Sequence, residues 1–417
     1  MSMTDSNLRH EYQPGTPSLL RAINERSLLE YLRSNKPTSR AQLARATRLS
    51  KPTVSQALAS LEDAGLVRAV GQSISSKGGR IAILYEPNPA AGYVVGVDVG
   101  RGWIRAAVAN LAGQIMARND KPNDVQSASA LVALISHLAR DVVADAGLSW
   151  SQVVHAVIGT PGVFDEQSKR VLFASYLPEW GRHGMATELQ VAFGLNLSVE
   201  NDANLAALGE RSFGWGSSAG TFVYIWVGTG VGMGIVINGA LYRGARGAAG
   251  EIGFLPFGWD EVVEESGNIS ESYLGMFEEA TSAGGIVRLA QELGLPASLS
   301  PRQIFDAAQQ GDSKALAVVE QEGYRLALAI AVITAVLDPE LVVLGGGIGQ
   351  RGELLIPPLE RRLQQLTPLR PRIVASKLGG DSVLLGSIAT ALEVAHNLVF
   401  QYYVNSNHGN STINMAP

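Results

Sequence analysis

The sequence predicts an α/β protein in two parts, a small N-terminal winged helix-turn-helix followed by a larger body of two α/β lobes. Three observations predict it. Positive charge is gathered at the front: residues 19–88 hold eleven Lys/Arg against five Asp/Glu, a net +6, which leaves −11 for the rest of a chain whose total is −5. The front has helical apolar spacing, whereas beyond Pro89 apolar strands end in glycine turns. That second pattern comes twice, as two similar lobes flanking a cleft would require.

The overall make-up narrows the function classes. The apolar run Leu326 to Leu337, broken only by Thr334, is well short of the roughly 20 residues that cross a bilayer, and Met1 to His10 is polar, so neither export nor a membrane partner is expected. With no cysteine, disulfides, thiolate zinc sites, iron–sulfur clusters and a cysteine nucleophile are excluded. A reducing cytoplasm is the expected compartment.

Residues 1–17 carry Pro14, Gly15 and Pro17 without a period and are expected to be a disordered leader. From Ser18 to Leu32 the apolar positions Leu19, Leu20, Ile23, Leu28, Leu29 and Leu32 predict a helix, stopped at Asn35-Lys36-Pro37. A second helix starts at Ser39, with Gln42 three residues on as its capping-box partner, and runs to about Ala46. After the turn Thr47-Arg48-Leu49, Ser50 caps a third helix with Pro52 in its first turn, ending at Gly65.

That third helix turns Val54, Leu58 and Leu61 inward, which leaves Lys51, Thr53, Ser55 and Gln56 outward near its start. Strands at Leu66–Val70 and Arg80–Tyr85, joined by polar Gly71–Gly79, form a wing carrying Lys77 and Arg80. Such a unit places one helix in the major groove of duplex DNA. Lys51, Thr53, Ser55 and Gln56 are the candidates for base edges or phosphates, Lys77 and Arg80 for the minor groove or backbone, and Arg40, Arg45 and Arg48 for phosphates. A small helical protein-interaction module is the alternative reading of the same pattern.

Glu86-Pro87-Asn88-Pro89 reads as a stiff linker. Strands follow at Tyr93–Val97 and Ile104–Ala109, then a third after the turn Asn110–Gly113, a helix at about Ala128–Ala146, and a strand Val153–Ile158 closing on Gly159-Thr160-Pro161-Gly162. The second half repeats this with Thr221–Val227, a turn at Gly228-Thr229-Gly230, and Gly232–Ile237. Long helices are expected over roughly Tyr273–Leu293 and Ser313–Leu337, before a strand Leu341–Leu344 that ends in Gly345-Gly346-Gly347.

Six segments in order, Asp98-x-Gly100, Gly159-Thr160-Pro161-Gly162, Glu200-Asn201-Asp202-Ala203-Asn204, Gly228 to Gly234, Ala249-Gly250-Glu251-x-Gly253 and Leu344 to Gly347, resemble the ROK family of repressors, open reading frames and sugar kinases. The front segment from Leu49 to Arg80 resembles the DNA-binding part of that family's repressor branch. The resemblance covers about Leu19 to Leu398 and implies an actin-like, ribonuclease-H-like sugar-kinase fold. It gives a winged helix over 18–86, a first lobe over 87–206 completed by a C-terminal helix at about 384–400, a second lobe with a dimerisation surface over 207–383, and a flexible tail over 401–417.

The resemblance also implies a sugar pocket of Asn201, Asp202, Glu251 and Glu271, with Trp180 stacking on the sugar and Asp202 where family kinases hold the catalytic carboxylate. Phosphoryl transfer further needs phosphate loops and groups that hold magnesium. Here the family's first loop, Asp-x-Gly-Gly-Thr, reads Asp98-Val99-Gly100-Arg101-Gly102 before Trp103, and a later aspartate of that motif is Asn110. Catalysis is therefore not expected. Asp98, Gly100, Gly228, Thr229, Gly230, Gly345 and Gly346 are expected to be vestigial nucleotide loops, with glycines that serve either phosphate binding or close packing.

Many members carry Glu-x-Gly-His and a cysteine cluster for zinc; this chain has Phe254 in place of the histidine and no cysteine, so no metal or other cofactor is expected. Tyr176 stands where the family often has asparagine, and His183 lies nearby in a loop. The expectation is a sugar-responsive transcriptional regulator, a repressor that binds a palindromic operator as a homodimer or tetramer and is controlled by a carbohydrate effector between the lobes. The rivals are a sugar kinase that carries a DNA-binding front, and a DNA-bound protein whose sugar pocket is vestigial.

Overall fold

The computed structural model describes residues 17–407, apart from Lys36, 74–80, Glu166, Ser175 and 257–274. It forms two compact units, one holding the chain up to Gly92 together with the chain from His396, the other Tyr93–Ala395.

In the first unit, α1 (Pro17–Ser34) buries Ala22, Leu28, Leu29 and Leu32. After the short strand β1 (Thr38–Ser39), Ser39 caps α2 (Arg40–Thr47) through the expected reciprocal box: its hydroxyl accepts from the Gln42 amide, and the Gln42 side chain accepts from the Ser39 amide. The turn is closed by Arg48 in the left-handed region at φ 58°. Ser50 then caps α3 (Lys51–Asp63), whose inward Val54, Leu58 and Leu61 are wholly buried. Strands β2 (Val67–Ser73) and β3 (Ala82–Pro87) pair antiparallel as the wing hairpin, with β1 on the other edge of β3. Lys77 and Arg80 lie outside the described residues.

Two boundaries differ from expectation. The predicted linker is part of this unit: Pro87 pairs with Val67 at the end of β3, and the Asn88 side chain donates to the Gly65 carbonyl at 2.7 Å. The predicted flexible tail is helical through Asn407, with Val399, Phe400, Tyr403 and Val404 buried and Arg33 donating to the His396 carbonyl. Apolar residues at 399–400 and 403–404 recur at helical spacing, which explains why the helix continues. Residues 1–16 and 408–417 of the expected leader and tail lie outside the described residues.

The second unit holds two five-stranded sheets of one topology. The first uses β4 (Tyr93–Val99), β5 (Trp103–Asn110), β6 (Ile115–Pro122), β7 (Val153–Thr160) and β10 (Leu197–Asn201), in the order β10-β7-β4-β5-β6. Strands β8 (Val163–Asp165) and β9 (Arg170–Leu172) form a separate hairpin. Helix α4 (Ala128–Asp145) packs on this sheet, followed in the chain by α5 (Met185–Phe193) and α6 (Asp202–Phe213).

The second sheet uses β11 (Phe222–Val227), β12 (Val231–Ile237), β13 (Ala240–Leu241), β14 (Leu341–Gly345) and β15 (Arg372–Ala375), in the order β13-β12-β11-β14-β15. In both sheets three antiparallel strands precede two that join in parallel. This is the duplication the repeated glycine-closed pattern predicts.

The helix expected over Tyr273–Leu293 is two helices, α7 (Met276–Thr281) and α8 (Ala283–Glu292), separated by Ser282 in extended conformation. Gly285 sits so close to the Ala280 carbonyl that a Cβ there would lie 2.2 Å from its oxygen, so the chain turns sharply instead of continuing. Beyond α9 (Pro301–Gln309), α10 spans Ser313–Leu337 as expected, and α11 (Gly346–Gly349) and α12 (Gly352–Leu366) lie between β14 and β15.

The last helix, α13 (Ser382–Asn407), is long and apolar enough by composition to cross a bilayer, with half of its most apolar stretch buried within the fold. Its Val383, Leu384, Ile388 and Ala391 share one core with Val94 and Ala107 of the first sheet and Phe222, Tyr224 and Val343 of the second. Burial in that core accounts for its hydropathy in the second unit.

Candidate functional site

In the first unit the Ser50 hydroxyl receives the Thr53 amide at 3.2 Å and pairs with the Thr53 hydroxyl at 2.8 Å. Thr53 is therefore half-buried and partly committed to the cap, whereas Lys51 and Gln56 are exposed and Ser55 is half-exposed beside them. The exposed Arg40 guanidinium lies 5.1 Å from the Tyr85 ring centroid, and exposed Arg45 donates to the Ala41 carbonyl. Arg45, Arg48 and Lys51 make no ion pair among the described residues, while Arg26 and Arg68 are neutralised by Glu30 and Glu86. The unpaired cations thus cluster around the turn between α2 and α3, at the polar start of α3.

The second unit carries a pocket of about 140 Å³ lined by residues of both sheets and of α6 and α7. Asn201 ends β10 and caps α6: its side-chain oxygen accepts from the Asn204 amide, and its nitrogen donates to the Gly162 carbonyl, both at 3.0 Å. Asp202 follows as the first residue of α6, its carboxylate accepting from the Ala203 amide at 2.8 Å. Glu251 enters from the segment after β13, and Glu278 from α7.

These acids raise one another. Burial, then repulsion from Asp98, lifts Asp202 to about 7 despite its amide bond at the helix start. Burial, then Asp202 and Glu278, lifts Glu251 to about 7. Burial also lifts Glu278, against the hydrogen bonds it receives from Tyr176 and the Val231 amide. Such a cluster accepts hydrogen bonds from several hydroxyls when ionised and donates when protonated, which suits a polyol.

Glu278 was not singled out in the sequence. The expected carboxylate beyond the lost cysteine cluster, Glu271, lies outside the described residues; among the described residues of that region, Glu278 reaches the pocket. Its signal was its place seven residues further on, at the start of a helix. Trp180 is a correction: it is fully buried, and its indole donates to the Thr160 hydroxyl at 2.7 Å, so it belongs to the first lobe's core. The aromatics at the pocket are Tyr176, Trp226, Phe173 and Phe254, the last two packed edge-on with centroids 5.5 Å apart. His183 is exposed in its loop.

At the first phosphate loop, the Gly100 amide donates to the Trp103 carbonyl, making a tight turn between β4 and β5. Asp98 is buried and bound by Arg105 at 2.7 Å, yet burial still lifts it to about 6. Asn110 sits at the opposite end of β5, where its side-chain oxygen accepts from the Ala112 and Gln114 amides. It is thus a turn residue about 20 Å from the loop by strand rise, and its identity has no bearing on a metal there.

The other glycines answer to packing. A Cβ at Gly230 would lie 2.6 Å from the Glu278 carboxylate, and one at Gly345 would strike the Tyr224 hydroxyl. Gly346 has φ +78° against the Val227 carbonyl, and Trp226 lies against Gly228. Thr229 lines the pocket.

The model of the ROK family matches residues 94–394, and that of the MarR family matches residues 22–73. The chain is 28% identical over 395 residues to the xylose repressor of Caldicellulosiruptor bescii, covering 91% of this chain and 97% of that protein. It is 32% identical over 317 residues to the glucokinase of Halalkalibacterium halodurans, covering 70% of this chain and 93% of that enzyme. Among solved structures, a ROK family transcriptional regulator described as a homologue of the E. coli MLC protein superposes with a TM-score of 0.73 at 23% identity, over 93% of this chain and 99% of the other.

Proposed function

The chain belongs to the ROK family, and on that premise we propose that it is a sugar-responsive DNA-binding transcriptional regulator of the repressor type. The observation that carries the reading is the presence in one chain of two unlike units: a MarR-type winged helix whose unpaired cations gather at the reading helix, and a kinase-like body whose phosphate loop is closed on itself. A repressor relative aligned over nearly the full length of both chains supports it.

In this reading α3 lies in the major groove with Ser55 and Gln56 at base edges, and Arg45, Arg48 and Lys51 on phosphates. Lys77 and Arg80 on the wing reach the backbone or minor groove. Two copies bind a palindromic operator in the cytoplasm, their half-sites one helical turn of about 34–36 Å or a multiple apart. A sugar hydroxyl set occupies the carboxylates of Asn201's neighbour Asp202, Glu251 and Glu278. The effector shifts operator affinity through its unequal affinity for two arrangements of the body.

The alignment with a glucokinase over most of the body supports phosphoryl transfer as the second reading. Three features weigh against it: Arg105 already neutralises Asp98, the Gly100 amide is used within its own turn, and the Tyr176–Glu278 hydrogen bond stands beside Gly230. No zinc or other cofactor enters the proposal, since Phe254 presents a ring to the pocket. The test is ADP release by the purified chain with ATP, magnesium and a panel of hexoses, beside duplex selection from a random library. Recovery of a palindrome without turnover is expected; brisk sugar-dependent turnover would favour the kinase.

A further inference from the structure

The pocket of the second unit has two layers of opposite polarity. Its acids are the deeper layer: Asp202, Glu251 and Glu278 are half-buried, and they stand close enough to repel one another. Its rim is apolar. Phe173 and Phe254 line the same pocket and are 40% and 38% exposed.

The two rings come from opposite halves of the unit. Phe173 follows β9 in the part of the chain that builds the first sheet, and Phe254 follows Glu251 in the part that builds the second. They meet with centroids 5.5 Å apart and planes inclined at 67°. That tilt leaves ring surface of both open to a third flat group, which can lie on one face while it meets the edge of the other.

Neither ring is exposed for want of a core beside it. Phe173 lies between Val171 and Ala174, both buried in the first core, and its φ of 59° is in the left-handed region, where a bulky side chain is rarely found. The backbone thus turns the ring out of the core and towards the pocket. Phe254 likewise stands exposed after buried Ile252 and Gly253. Phenylalanine is among the residues that folding most often buries, so two touching rings held open at the rim of a polar pocket mark a surface kept for a ligand.

We propose that this rim is an aglycone site and that the effector is an aryl glycoside, its sugar hydroxyls on Asp202, Glu251 and Glu278 and its aromatic group outward on Phe173 and Phe254. This rests on the sensor reading and names its ligand class. The order of the layers decides it. A free sugar carries hydroxyls all round and would press some of them, desolvated and unpaired, against the rings, whereas a wholly apolar molecule would do the same to the carboxylates. A glycoside matches both layers at once. Because the rings belong to different halves of the unit, an aromatic group held by both favours the arrangement in which they are close, which is the unequal affinity that a sensor needs.

The test is isothermal titration of the full chain with glucose, galactose, xylose and N-acetylglucosamine, each as the free sugar and as the methyl and phenyl glycosides of both anomers, with phenol alone as the apolar probe. At least one phenyl glycoside should bind about tenfold more tightly than its methyl counterpart, the gain from burying a third ring against two. The methyl glycoside controls for loss of the anomeric hydroxyl. Phe173→Ser and Phe254→Ser, both at exposed positions, should each bring that phenyl-to-methyl ratio towards one, and Phe254→Tyr should restore it. Glu251→Gln should weaken both glycosides alike and leave the ratio.

Equal affinity for phenyl and methyl glycosides in a chain that binds the sugar, or a ratio that both serine variants leave intact, would overturn the assignment while leaving the sensor reading in place. Phenol bound as tightly as the phenyl glycoside would also overturn it. If nothing in the panel binds a chain that still selects an operator, the sensor reading fails together with the assignment.

Discussion

The two units handle charge in opposite ways. In the first, cations that matter for a polyanion are left without carboxylates: among the described residues Arg45, Arg48 and Lys51 have none, whereas the more distant Arg26 and Arg68 are neutralised. In the second, acids are crowded into a pocket until burial lifts Asp202 and Glu251 to about 7, and the kinase-like Asp98 is bound by Arg105. One surface keeps its charge for a partner that brings the opposite charge. The other converts its charge into hydrogen-bonding capacity for a neutral ligand. The difference teaches that a polyanion and a hydroxylated ligand call for opposite treatments of charge within one chain.

The largest expected effect tests whether residues past Ala395 belong to the DNA-binding unit. Phe400→Ala removes a buried aromatic and should destabilise that unit by about 3–5 kcal/mol, read as an early unfolding transition and lost duplex affinity. An unchanged melting profile would return this stretch to a loose tail. Next, Ser55→Ala with Gln56→Ala should reduce discrimination between operator and random duplex by about 2–6 kcal/mol, at roughly 1–3 kcal/mol for each base contact. Unaltered discrimination would move sequence reading away from α3.

In the body, Asp202→Asn keeps the acceptor for the Ala203 amide but removes the charge. It should weaken the sugar response about tenfold, within the range of about 1–3 kcal/mol typical of such coupling, without changing DNA affinity in the absence of sugar. A full response in this variant would detach the carboxylates from sensing.

The pocket acids also predict a pH dependence. Asp202 and Glu251, lifted to about 7, hold protons in the folded chain that the unfolded chain releases near pH 4 to 4.5. Their contribution to stability is therefore complete below that range and is lost as pH rises through 7. The melting temperature should fall between pH 6 and pH 8, and Glu251→Gln should flatten the slope. A rising melting temperature that the variant leaves untouched would contradict the pocket's electrostatics. The smallest effect separates free from paired cations: Arg45→Gln should lower the salt slope of DNA binding by about 0.9, and Arg68→Gln, which only frees Glu86, should not.

The first unit was largely legible because its signals are local. The Ser39–Gln42 box, the Ser50 cap, Pro52 and the inward Val54, Leu58 and Leu61 all act within a few residues, and each is where its spacing places it. The body's repeated topology was legible for the same reason, since each strand closes on its own glycine turn. What escaped depends on tertiary contacts. Trp180 read as a sugar-facing aromatic, yet the hydroxyl of Thr160 holds its indole in the core. The break at Ser282 arises where Gly285 meets the preceding turn, a close approach that spacing alone does not reveal.

The distinction between Asp98 as a metal-side acid and Asp98 as half of an ion pair likewise depends on Arg105 across the hairpin, where strand register and not sequence proximity brings the two together. Glu278 escaped because a short helix, set by that same break, swings it towards Tyr176. Sequence thus located the pocket through Asn201, Asp202 and Glu251 but not its far wall.

The most direct test of the account is equilibrium binding of the intact chain to its selected operator, titrated with the sugar or glycoside that binds it. A change in operator affinity of about 5- to 150-fold is predicted, matching a coupling of about 1–3 kcal/mol. An operator affinity that stays constant while the pocket fills would contradict it.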